Sequence, residues 1–150
     1  MTEVFFNAEG ISLPPWTKTA GGFIKSVIRT LGMKNWELSV LFCDNPYIKT
    51  LNAQYRNKDE PTDILSFPLG ERDPGGRFLA GDIVISLDAL KENTHFFKVS
   101  GDEELRRLLV HGILHLAGYD HATNDAEEQM LQIQENILSQ LRTKPMGNAL

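Results

Sequence analysis

A single cysteine, Cys43, is present in this 150-residue chain, which excludes an internal disulfide framework and any cysteine-rich metal knuckle. It lies in the apolar stretch ELSVLFC, where a small thiol is expected to pack as core. Long apolar runs are also absent. None reaches the roughly 18 residues that a membrane span requires, and MTEVFFNAEG at the start has neither the basic opening nor the apolar stretch of a secretory signal. The expectation is a cytoplasmic protein without a membrane partner. The third thing missing is excess positive charge. With a formal net charge of −5, the chain does not hold nucleic acid through its overall field, so a DNA-binding or polyanion-coating role is not expected. A local basic surface stays open, because lysines and arginines are spread from Lys18 to Arg107 over segments that folding can gather.

What is there suits one globular domain spanning residues 1–150: a hydrophobic share of 41% and a charged share of 23% match ordinary compact proteins. There is no internal repeat and no low-complexity tract. Val4, Phe5 and Phe6 read as a first strand. Phe23, Val27, Ile28 and Leu31 recur at helical spacing in the segment from Trp16 to Leu31, and Gly32 stops that helix. Leu38, Val40 and Phe42 alternate with Ser39, Leu41 and Cys43 as in a buried strand. Asp44 and Asn45 cap a helix with Pro46 in its first turn and Arg56 at its end.

DILSFP, bounded by Pro61 and Pro68, reads as a short edge strand that cannot extend far, since proline donates nothing to a ladder. Leu69–Leu79, with Gly70, Pro74, Gly75 and Gly76, reads as a mobile surface loop. GDIVIS returns to strand, a helix follows from Ser86 to Phe97, and Ser100 with Glu103 has the spacing of a capping box opening the next one. Asn124 is expected to cap a last helix whose stripe is Met130, Ile133, Ile137, Leu138 and Leu141, and KPMGNAL is expected to fray. The order βαβαββααα indicates an α+β fold.

Chemistry concentrates in LLVHGILHLAGYDH, which holds three of the four histidines. His111 and His115 are four apart on a helix, so their side chains leave one face about a turn apart and one ion can bridge them. Gly118 can adopt the left-handed conformation that ends a helix, which would turn the chain and bring His121 toward the same point. The spacing HxxxHxxGxxH matches the ligand framework of zinc metalloproteases, except that Gly112 stands where those enzymes carry their glutamate base. Three nitrogens would leave a tetrahedral zinc one direction for water. The alternative is three hydrogen-bonded core histidines, each of which would otherwise carry a desolvation cost of ~1–3 kcal/mol among Leu109, Val110, Ile113 and Leu114. A structural zinc would want a fourth ligand, which Cys43 could supply only if its strand folded here. His95 has no partner at ligand spacing and reads as a surface histidine. Asp120 is open between second-layer acceptor and turn residue.

HGILHLAGYDH, NAQYRNKDEPTDILSFPLG and GDIVIS together resemble the signatures of the YbeY family, in the same order along nearly the whole chain. The resemblance implies a zincin-like α+β fold, a small mixed four-stranded sheet packed by helices with the metal site on a helix-turn, and one Zn2+ on His111, His115 and His121. It further implies a single-strand-specific endoribonuclease acting on rRNA in maturation of the small ribosomal subunit (16S rRNA) and in ribosome quality control. An arginine of the second motif is functional in that family, and the matching position is Arg56. A guanidinium suits this role, since it grips two phosphate oxygens and stays charged. The alternative for Arg56 is a helix-end arginine paired with Asp59 or Glu60, the reading its residues alone would favour without the family resemblance. Thr62, Asp63 and Ser66 are open between site and turn chemistry. The N-terminal segment and the glycine-rich loop at residues 74–76 match no signature. Two other functions compete, a metalloprotease and a non-enzymatic ribosome-associated module with structural zinc.

Overall fold

A computed structural model describes residues 1–120 and 128–142. In chain order the elements are β1 (Glu3–Glu9), α1 (Thr17–Thr30), β2 (Trp36–Cys43), α2 (Asn45–Arg56), β3 (Ile64–Arg72), β4 (Phe78–Ser86), α3 (Leu87–Phe97), α4 (Gly101–Leu116) and α5 (Gln129–Gln140). The expected order βαβαββααα is the observed one. The strands form one sheet in the order β1-β2-β4-β3, with β1, β2 and β4 parallel and β3 antiparallel at the edge.

Strand alternation divides the core in two, because successive side chains leave opposite faces of the pleat. Leu38, Val40 and Phe42 of β2 and Ile83 and Ile85 of β4 face α1 and α4, meeting Ile24, Val27 and Ile28 of the first and Leu105, Leu109 and Ile113 of the second. Cys43, Leu65 and Val84 face the other way, against Ile48 of α2. Cys43 is core, as expected. Helix α4 packs on α1, α3, α5, β3 and β4, which is why its sequence is apolar on nearly every side.

Local chemistry fixes the helix ends. The Asp44 carboxylate accepts from the Tyr47 N–H at 3.0 Å, and the Ser86 and Ser100 hydroxyls accept from Ala89 and Glu103 N–H groups at 3.2 and 3.0 Å. Asn57, in the left-handed region at φ 57°, stops α2 at Arg56. In α5, Met130 and Ile137 are buried, while Ile133, Leu138 and Leu141 pack at the core's margin. The expected cap Asn124 and the tail KPMGNAL lie outside the described residues.

Two expectations fail, and for one reason. β3 does not stop at Pro68 but runs to Arg72, and Leu69–Leu79 is a β-hairpin instead of a mobile loop. The ladder shifts register between Pro68 and Glu71, so proline falls at a bulge where its missing N–H costs the pairing little. The glycines close the hairpin: Asp73 N–H donates to Arg77 O at 2.9 Å, Gly76 N–H to Asp73 O at 3.0 Å, and Gly76 sits at φ 87°.

Gly81 makes the bulge possible. Its φ is +131°, and a Cβ there would lie 2.2 Å from the Phe67 carbonyl oxygen. Gly22, exposed within α1, has nothing within 4 Å of a Cβ position. The same chemical change should therefore act in opposite directions: Gly81→Ala destabilises by about 2 kcal/mol or more, whereas Gly22→Ala stabilises by ~0.5–1 kcal/mol. Urea midpoints of the two variants check this, and a neutral Gly81→Ala would contradict the close approach of the two strands.

Candidate active site

His111 and His115 leave α4 on its one half-open flank. Their Nε2 atoms are 3.1 Å apart, and their rings meet at 73° with centroids 4.7 Å apart. Both face a cleft of about 530 Å³ between α4 and the edge of the sheet, walled by Ser66 and Pro68 of β3, by Arg56, and by Gly118, Tyr119 and Asp120 after the helix. Gly118 at φ +100°, with its N–H on His115 O at 3.0 Å and that of Tyr119 on Leu114 O at 3.0 Å, ends the helix where the sequence places the stop. His121 lies outside the described residues. Two of the three expected ligands are thus brought together, and among the described residues no trio of histidine, cysteine, aspartate and glutamate is gathered.

The pair suits a shared cation. Two nitrogens held ~2.0–2.1 Å from one tetrahedral zinc stand about 3.3 Å apart, close to the spacing observed. Cys43 is not available as a further ligand, because it lies on the opposite sheet face, with its Sγ 3.6 Å from the Ile85 carbonyl oxygen. Burial first, then the Asp44 and Asp88 carboxylates, push its thiol up to about 12.

Arg56 reaches the cleft from the other side of the sheet. Its Nη2 donates to the Ser66 carbonyl at 2.9 Å, and its guanidinium lies over the Phe67 ring, 5.2 Å from the centroid. These contacts hold it at the β3 edge, where it lines the same cleft as the histidines. The alternative partners Asp59 and Glu60 are not the ones it takes. Asp120 is exposed on the cleft wall, and His95 is exposed near the end of α3.

Gly112 explains itself. A Cβ at this position would lie 2.9 Å from Cδ1 of Ile83 and 3.1 Å from Cδ1 of Ile64. The place that a protease gives to its base is filled here by sheet side chains.

The open roles of Asp63 and Ser66 also resolve. Ser66 supplies the carbonyl that anchors Arg56. Asp63 precedes β3 and accepts from Asn93 Nδ2 at 3.0 Å, while the same amide nitrogen donates to Glu104 at 2.9 Å and the Asp63 carbonyl accepts from Ser86 N–H at 3.0 Å. This junction ties α3 and α4 to the start of the edge strand and so holds the cleft wall.

Sequence reasoning missed one residue. The Nδ1 of His111 lies 2.8 Å from Oε1 of Gln134, which is buried on α5. The signal was legible as a polar side chain at the i+4 position between Met130 and Ile137, on a stripe otherwise apolar.

Two imidazoles facing a guanidinium across a cleft form the kind of site a hydrolase of anionic esters uses. The comparisons narrow that class. The model of the Endoribonuclease YbeY family matches residues 6–142, and the chain belongs to that family. It is 53% identical over 124 residues to Endoribonuclease YbeY of Treponema denticola, covering 80% of each chain. It is 44% identical over 144 residues to that of Treponema pallidum, covering 93% of this chain and 90% of the relative. The solution structure of TM1509 from Thermotoga maritima is similar in fold, with a TM-score of 0.60 and 29% identity over 98% of both chains. The resemblance read from the motifs therefore holds, and the activity is that of an endoribonuclease acting on RNA. Among the described residues, no helix is long and apolar enough to cross a membrane.

Glu104 sets a pH dependence. Burial is the main cause that raises its carboxyl above the 4.5 of an exposed glutamate, with Asp63 adding to it and the Asn93 hydrogen bond opposing. The folded chain then holds this proton more tightly than the unfolded chain does. The stability it contributes is complete below pH 4.5 and is lost as pH rises through the folded-state value. Glu104→Gln removes the loss, so the variant's urea midpoint should gain on wild type as pH rises above 4.5. Parallel pH profiles would disprove the assignment.

Proposed function

We propose that this chain is a zinc-dependent, single-strand-specific endoribonuclease of zincin-like architecture. Its role would be cytoplasmic, in maturation of small-subunit (16S) rRNA and in ribosome quality control. The observation that carries the reading is the pair of Nε2 atoms 3.1 Å apart, opposite an arginine already anchored at the cleft wall. His111, His115 and His121 would hold the ion. Zinc bound there supplies Lewis acidity and lowers the pKa of the water it binds to ~7.

The chain's own residues do the rest. Arg56 takes the scissile phosphate and keeps its charge as negative charge grows on the reacting oxygens. Its hold on Ser66 O and Phe67 orients it before substrate arrives, so little ordering remains to be done on binding. A net charge of −5 gives little general attraction for RNA, and docking on the small ribosomal subunit would supply the local concentration instead.

Gly112 argues against a peptidase, since that position offers no base and a side chain there would press on Ile83 and Ile64. A purely structural zinc is separable by chelation. Removing the metal should abolish cleavage of single-stranded RNA while the circular dichroism spectrum stays unchanged; unfolding on chelation would favour the structural role.

His115→Ala should lose cleavage to the limit of detection at matched purity. Arg56→Ala should lose about 10²–10³ in kcat, with Arg56→Lys recovering only part, because an ammonium cannot copy the bidentate grip. Cleavage by His115→Ala at the wild-type rate would end this reading.

A further inference from the structure

An imidazole can bind a cation through one nitrogen only if the proton sits on the other, so the partner of the remote nitrogen decides whether the near one is ready. In His111 the near nitrogen is Nε2, 3.1 Å from that of His115, and the remote one is Nδ1, 2.8 Å from Oε1 of Gln134. Gln134 is 6% exposed. Its own Nε2 is 3.4 Å from the Glu135 carboxylate, which leaves the carbonyl oxygen, able only to accept, toward the ring. Packing alone does not ask for an amide here, since its neighbours Met130 and Ile137 on the same stripe are apolar and a buried amide without partners is costly.

We infer that Gln134 is a positioning residue of the active site: its carbonyl holds His111 as the Nδ1–H tautomer and so presents the Nε2 lone pair to the cleft. An amide also differs from the carboxylate that often fills this place. It fixes the ring without adding negative charge, so the ion keeps more of its attraction for an anionic phosphate. The value of the device to zinc rests on the metal reading above; the tautomer does not.

Nitrogen-15 NMR of histidine-labelled, metal-free protein reads the tautomers, and competition with a chromophoric chelator reads zinc affinity. Wild type should show His111 as the Nδ1–H form. Gln134→Leu should mix the His111 forms and weaken zinc about 10–100-fold, as Gln134→Met should if the leucine variant folds poorly. Gln134→Glu should keep the tautomer and bind zinc at least as tightly as wild type. An Nε2–H form of His111 in wild type, or wild-type zinc affinity in Gln134→Leu, overturns the inference. A wild type with the Nδ1–H form that takes up no zinc supports the hydrogen bond and overturns the metal reading.

Discussion

The close seating of α4 on the sheet at Gly112 governs the arrangement of this molecule. With no side chain at that position, Ile83 and Ile64 come within van der Waals reach of the helix backbone, and the helix lies flush against β4 and the edge strand β3. The neighbours of Gly112 one turn apart, His111 and His115, then emerge beside the sheet edge and not beneath it. A larger residue would lift the helix and overpack the core, at a cost of about 1–3 kcal/mol, and would widen the cleft. Packing and chemistry are thus the same constraint seen from two sides.

The cleft needs a second wall, and β3 provides it as an edge strand with one side of its ladder free. Arg56 exploits that freedom: it starts at the end of α2 and bends to bond the Ser66 carbonyl at the strand edge. The junction of Asp63, Asn93 and Glu104 secures the start of the same strand to α3 and α4. A buried carboxyl raised by desolvation is a poor stabiliser at neutral pH, and this one stands where the wall meets the helix bearing the histidines. A bonded polar junction of this kind fixes register where apolar packing would permit sliding.

Much of this was legible in the residues. Helical spacing located α1 and α5, the caps at Asp44 and Ser100 fell where their side chains predict, and the i, i+4 relation of His111 and His115 needed nothing but helix geometry. The edge hairpin was not legible, because Pro68 and the glycines at 70, 75 and 76 carry the same signals in a loop as in a bulged ribbon closed by a tight turn. The register shift and the approach of Gly81 to Phe67 O are long-range facts that no window of sequence contains. Arg56 was legible as a residue type but not as a position, since the path around β3 depends on sheet order. Gln134 was legible only as an anomaly, a polar side chain on an apolar stripe.

The position of Gly112 bears on reaction class as well as on packing. Peptide hydrolysis at a histidine-bound metal relies on a general base set between the two helical ligands, and here that volume belongs to isoleucine side chains. A side chain at 112 would first have to displace the Ile83 and Ile64 side chains that fill this space. A phosphodiester makes a different demand: it arrives already anionic and gains charge on its oxygens, so the most useful protein group is a fixed cation. The cleft offers one, held by a backbone carbonyl and an aromatic ring. The wall nearest the histidines therefore selects against an amide and for an anion, by excluding a base on one side and anchoring a guanidinium on the other.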